Sequence, residues 1–141
     1  MDDVFVGSLM SSPVHTAQPD SSLQTAANQM LAHSISSVIV VDDDGHLEGI
    51  LTTTDFIERF AVGSTDPSAP VSDAMSTEVI TTTVHEPIQD VAELMVEEGF
   101  HHVPVLDDES VVGVITTIDL AVFLSGKSSV SSPELMNTFS F

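Results

Sequence analysis

Apolar positions in the first half of the chain follow two periods that alternate along it. Leu23, Ala26, Ala27, Met30 and Leu31 have the i, i+3, i+4, i+7, i+8 spacing of an amphipathic helix with one face on a core. Ser21 and Gln24 in front of it have the pattern of a capping box, with Ser21 as N-cap. Val38 to Val41 is a continuous β-branched run, as in a strand covered on both faces. Asp42-Asp43-Asp44-Gly45 is turn chemistry. Leu47 to Thr52 predicts a returning strand, and Phe56, Ile57 and Phe60 mark a helix after it. Ahead of all these, Val6, Leu9 and Met10 predict a short helix ended by Pro13, and Val14-His15-Thr16 a short strand.

From Val71 the pattern begins again. Val71, Ala74 and Met75 repeat Val6, Leu9 and Met10, and Val79 and Thr81 repeat Val14 and Thr16. Pro87 suits the first turn of a helix. Ile88, Val91, Ala92, Met95 and Val96 reproduce the earlier stripe, and Gly99 supplies a C-terminal cap. Val103 and Val105 match Val38 and Val40. After a one-residue deletion in the turn, Gly113, Thr116 and Asp119 match Gly49, Thr52 and Asp55. The chain therefore divides into repeat 1 (4–62), a linker (63–70), repeat 2 (71–124) and a tail (125–141). Each repeat reads α-β-α-β-β-α, which makes the fold class mixed α/β (α+β). Repeats of this size are marginal alone, so the two are expected to pack, sheet against sheet, as one pseudo-two-fold module. Two copies at so long a period do not make a solenoid. Leu135, Met136, Phe139 and Phe141 lie outside the repeat, and the tail is expected to fray or to dock as a short helix.

The candidate chemistry sits where each last strand gives way to its helix. Gly49-Ile50-Leu51-Thr52-Thr53-Thr54-Asp55 and Gly113-Val114-Ile115-Thr116-Thr117-Ile118-Asp119 each place a hydroxyl at the fourth position and a carboxylate at the seventh. A lone Asp at a helix start is usually a cap, but its recurrence in a matched motif points to two equivalent ligand sites. A carboxylate is a paired acceptor suited to a diol, and a neighbouring helix N-terminus favours anions. His101 and His102 are adjacent on a strand and point to opposite faces, so they do not share a metal. The Asp42–Gly45 turn lacks the spacing of a calcium loop, because Val40 stands where the first carboxylate belongs. No metal site is expected.

Composition narrows the partners. Asp and Glu total 22 against one arginine, Arg59, and one lysine, Lys127. So acidic a chain repels a phosphate backbone, and nucleic acid is excluded as a partner. The acids are scattered over a sequence that is 42% hydrophobic. This suggests a haloarchaeal, salt-rich cytoplasm, where screening relieves the self-repulsion. There are no cysteines, no apolar run that spans a bilayer and no signal-peptide n-region. A cytoplasmic protein with no membrane contact is expected.

The duplicated unit, ending in Gly-hydrophobic-x-Thr-x-x-Asp, resembles the cystathionine β-synthase (CBS) domain, and two in tandem resemble a CBS pair, or Bateman module. The resemblance covers residues 4 to about 124. It implies a stand-alone regulatory module that binds an adenosine-containing ligand (AMP, ADP, ATP or S-adenosylmethionine) in clefts between the repeats, with no required cofactor and no catalysis of its own. It implies that Asp55 and Asp119 accept the ribose hydroxyls and that Thr52 and Thr116 contact ribose or phosphate. It also implies that the backbone around Thr16 and Thr81 meets the adenine edge, and that Ser37, Val38, His102, Val103 and Pro104 line the clefts. Arg59, one helical turn beyond Asp55, is the cation available to a phosphate, and repeat 2 has Phe123 in its place. With so few bases, a monophosphate or the cationic S-adenosylmethionine suits the chain better than ATP. The resemblance further implies a homodimer and a separate effector protein. The alternative reading is a ligand-free dimerisation module. An enzyme is not expected: no Ser/His/Asp arrangement, Walker loop or metal-ligand spacing is present, and the histidines at 15, 33, 46, 85, 101 and 102 form no constellation.

Overall fold

A computed structural model describes residues 4–126, and the tail residues singled out above lie outside that range. Two compact units emerge. One comprises residues 15–79, and the other joins residues 4–14 to residues 80–126.

In the unit of residues 15–79, β1 (Thr16–Ala17) pairs parallel with β2 (Ser37–Val41), which pairs antiparallel with β3 (Leu47–Thr52). Helix α2 (Leu23–His33) buries Leu23, Ala26 and Met30 against Val38, Val40 and Leu51. Its N-cap is Ser22, whose Oγ accepts from the Thr25 amide at 3.1 Å. The expected cap, Ser21, instead accepts from the Gln18 amide at 3.2 Å, because a turn of its own precedes the helix. Ser22→Ala is expected to cost about 1 kcal/mol, the usual worth of such a cap, read as a lowered denaturant midpoint; Ser21→Ala changes it less. The predicted strand Val14–Thr16 is displaced to Thr16–Ala17. Helix α3 (Thr53–Ala61) follows β3 without a break.

The second unit repeats this plan. Its sheet runs β4 (Thr82–Thr83), β5 (His102–Asp107), β6 (Ser110–Thr116), parallel then antiparallel. Helix α4 (Ile88–Glu98) ends as predicted at Gly99, whose φ of 73° is a left-handed value that glycine adopts without strain. Helix α5 (Thr117–Ser125) closes the unit. Both sheets carry a register shift at the same place, between Val40 and Val41 and between Val105 and Leu106.

The compact units and the sequence repeats have different boundaries. Helix α1 (Val6–Leu9) heads the first repeat but belongs to the second unit. There the Ile88 amide donates to the Val4 carbonyl at 2.7 Å and the Val6 amide to the Glu86 carbonyl at 2.9 Å. The 3₁₀ turn Val71–Asp73, the counterpart of α1, straps the other unit in the same way: Leu23 N–H donates to Ala69 and Val71 N–H to Ser21, at 2.9 and 2.7 Å. A four-residue helix has no stability of its own. It is held by burying Val6, fully enclosed as Val71 is in its unit, a burial worth about 2 kcal/mol each. Among the described residues no helix is long and apolar enough to cross a membrane.

Candidate functional site

The repeated glycine makes room for the strap. In the unit of residues 15–79, the strap's Ser76 bridges Ile50 with paired amide–carbonyl bonds of 3.0 and 2.9 Å. A Cβ on Gly49 would stand 2.6 Å from the Ser76 carbonyl. In the other unit Ser11 bridges Val114, and a Cβ on Gly113 would stand 2.8 Å from the Ser11 carbonyl. Glycine is required at both positions because backbone lies directly on it.

Three residues further on the strand becomes a helix, and the Thr and Asp of the motif meet. Thr52 and Thr116 are the N-caps of α3 and α5, and each forms a capping box with its Asp. Asp55 Oδ2 accepts from the Thr52 amide at 2.7 Å and from its hydroxyl at 3.3 Å. Asp119 Oδ2 accepts from the Thr116 amide at 2.8 Å and its hydroxyl at 3.1 Å. The cap occupies only Oδ2. Asp55 Oδ1 has no hydrogen bond among the described residues, and Asp119 Oδ1 accepts from Ser11 Oγ at 3.4 Å.

The start of the preceding strand is brought to the same place by register. Ser37 pairs with Thr52 and His102 with Thr116. The Thr53 amide donates to Ser36 and the Thr117 amide to His101, both at 3.1 Å, locking each helix start to its sheet. Val38, Val103 and Pro104 are fully buried, with Val38 and Val103 in the cores of their units. Their side chains therefore serve packing, and only their backbone could meet a ligand. Thr16 is exposed on β1 and its carbonyl accepts from Gln29 Nε2 at 3.3 Å, while Thr81 is half-buried just before β4.

Arg59 is tied to the segment that follows α3. Its guanidinium donates to Ser64 Oγ at 3.0 Å and to the Asp73 carbonyl at 3.4 Å. It joins the end of α3 to the linker, and among the described residues no ion pair ties it to Asp55. Helical spacing alone does not reveal the contact with the linker.

The two carboxylates differ in environment. Asp119 is 2% exposed, and burial pushes its pKa up to about 6 against the opposing pull of the Thr116 and Ser11 hydrogen bonds. Asp55 is half-buried, and burial raises its pKa despite the Thr52 bonds. Burial, with a smaller push from His101, lowers the His102 pKa to about 4, so its imidazole is neutral at physiological pH.

Ser11 escaped sequence reasoning, although Met10-Ser11 recurring as Met75-Ser76 was a usable signal. The stacking of His15 on His33, with centroids 4.0 Å apart, had no signal, because the two come from separate elements. Burial, then His33, lowers the His15 pKa. Asp42, Asp44 and His46 cluster in the β2–β3 turn, where Asp42 Oδ1 accepts from the Asp44 and His46 amides at 2.9 Å. The chain turns here, between β2 and β3, as the sequence predicted.

The motif positions match a known family model twice: the CBS domain matches residues 6–62 and again residues 71–126. The chain belongs to the CBS domain family. Its two CBS repeats are 32% identical over 123 residues to the CBS domain-containing protein YhcV of Bacillus subtilis, covering 87% of each chain. A stretch of 104 residues is 36% identical to inosine-5′-monophosphate dehydrogenase of Halobacterium salinarum, and covers 73% of this chain but 20% of that enzyme. Among solved structures, the CBS domain pair of protein MJ0100, in complex with 5′-methylthioadenosine and S-adenosyl-L-methionine, superimposes with a TM-score of 0.82. It has 31% sequence identity, with 89% of this chain and 98% of that chain covered. The chain is thus a CBS pair with the mixed α/β architecture of those structures.

Proposed function

We propose that this CBS pair is a regulatory, non-catalytic module that binds an adenosine-type ligand through Asp55 and Asp119. The observation that carries this reading is the division of labour within each carboxylate. One oxygen fastens the helix start through the threonine amide and hydroxyl, and the cap leaves Oδ1 out: that of Asp119 accepts from Ser11 Oγ, and that of Asp55 has no donor among the described residues. A ribose diol is such a donor pair. Ser37 and His102, across the register from Thr52 and Thr116, flank the sites, and the backbone of Thr16 and Thr81 offers the edge groups an adenine needs. The adenosine class is supported by the MJ0100 pair, which holds two adenosine derivatives. With Arg59 committed to the linker, a phosphate lacks its expected cation, which favours S-adenosylmethionine or a monophosphate over ATP. Output passes to a separate effector in the cytoplasm.

Thermal unfolding in molar potassium chloride with AMP, ATP or S-adenosylmethionine tests this. At a hundred times its dissociation constant a ligand adds about 2.7 kcal/mol, a shift of several degrees. Asp55→Ala or Asp119→Ala is expected to abolish the part of the shift due to its site; an unchanged shift in both variants excludes these carboxylates.

A second reading, homodimerisation, is favoured by the apolar surface of α2 and α3, where Leu31, Ile57 and Phe60 are exposed by 79%, 64% and 75%. Sedimentation of Phe60→Asp against the parent tests it, with a monomeric variant expected.

A further inference from the structure

The two straps treat their motif carboxylates differently. Ser76 and Ser11 stand at matched positions, each pinned by paired backbone hydrogen bonds to the last strand of its unit. For Ser11 the partner is Val114, at 2.8 and 3.2 Å. Their side chains diverge. Ser76 is exposed and, among the described residues, makes no hydrogen bond to Asp55. Ser11 is half-buried and donates its hydroxyl to Asp119 Oδ1 at 3.4 Å. The carboxyl responds to this contact, which pulls its pKa down against the larger upward push of burial.

Counting acceptors turns this contrast into a difference in binding. A carboxylate offers about four lone-pair directions. At each junction the cap takes two of them, for the threonine amide and the threonine hydroxyl. At Asp55 about two remain, as many as the two hydroxyls of a ribose need. At Asp119 Ser11 takes a further one, leaving about one. A serine hydroxyl turns on a single rotor, so a ligand hydroxyl can displace it. The exchange replaces one hydrogen bond by another and gains little. Asp119 is also 2% exposed where Asp55 is half-buried, which leaves a ligand less of the carboxylate to approach.

Resting on the reading of Asp55 and Asp119 as ribose acceptors, we infer that Ser11 is a specificity-determining residue. Its hydroxyl holds the place of one ribose hydroxyl on Asp119. The Asp55 junction therefore takes a diol ligand first, and the Asp119 junction grips a single hydroxyl and binds more weakly.

The amides of Thr52 and Thr116, each bonded to its own carboxylate, report the two junctions separately in an NMR titration of the full chain. The probes are adenosine and 2′,3′-dideoxyadenosine, which differ only in the diol. Adenosine is expected to bind at least tenfold more tightly at the Thr52 signal than at the Thr116 signal, since a hydrogen bond to a charged group is worth about a factor of ten or more. Loss of the diol is expected to cost more at Thr52. Ser11→Ala is expected to tighten adenosine about tenfold at Thr116 and to leave the dideoxy compound unchanged there. Ser11→Thr keeps a hydroxyl and should match the parent, as should Ser76→Ala. Equal affinities at the two signals in the parent overturn the inference and leave the ribose reading standing. So does a Ser11→Ala variant that binds as the parent does, or one in which both probes move together, the mark of a purely structural role. No adenosine binding at either signal overturns the ribose reading and this inference with it.

Discussion

Asp119→Asn is expected to stabilise the protein by about 3 kcal/mol above pH 6 while removing ligand binding at its site. The carboxyl is 2% exposed and its pKa stands near 6, against 3.8 for the unperturbed group; every tenfold change in an acid dissociation constant is worth about 1.4 kcal/mol. A raised folded-state pKa means the protonated form is the one the fold favours. Below pH 3.8 folded and unfolded chains both carry the proton and ionisation costs nothing. Between 3.8 and 6 only the unfolded chain has lost it, so stability falls as pH rises, and above 6 the whole cost is present. Asparagine keeps an acceptor for the Thr116 amide without the charge. Urea unfolding from pH 4 to 7.5 should show parent and variant nearly equal at the acid end and diverging to a plateau. A pH-independent difference removes the electrostatic explanation. Asp55→Asn should show the same sign with a smaller effect, because its carboxyl is half-buried. A carboxylate that weakens the fold at neutral pH accords with the proposed role of Asp119.

Gly49→Ala and Gly113→Ala are each expected to destabilise by about 3 kcal/mol, in the upper range for forcing atoms into packed space, lowering the thermal midpoint by roughly 10 °C. The added Cβ at Gly49 meets the Ser76 carbonyl at 2.6 Å with the Met75 sulfur behind it at 3.0 Å, and at Gly113 it meets the Met10 sulfur at 2.7 Å and the Ser11 carbonyl at 2.8 Å. The strap must lift, and with it Val71 or Val6. Thr54→Ala, at an exposed position of α3, should stay within about 0.5 kcal/mol. Parent-like midpoints for both glycine variants would mean that the straps yield freely.

Much of this molecule is written locally. The stripes Leu23–Leu31 and Ile88–Val96 became α2 and α4, which bury Leu23, Ala26 and Met30 and Ile88, Val91 and Met95, as residues recurring every three to four positions share one face. Leu31 and Val96 at the stripe ends stay exposed. Strand β3 has the predicted bounds, Leu47 to Thr52. The matched Thr and Asp pairs sit at equivalent strand-to-helix junctions because hydroxyl and carboxylate three apart form a cap by themselves. Weak local signals slipped: Ser21 and Ser22 are equally good caps in isolation, and the turn before the helix chose between them. What only tertiary structure decided involves segments distant in sequence. The short helix at Val6 buries itself in the second repeat's unit, not its own. Arg59 turns to the linker, and Ser11 reaches Asp119. The repeats carry the same motif, yet one carboxylate is enclosed and the other half-open. That difference follows from desolvation by neighbours the motif does not contain, and no spacing along the chain encodes it.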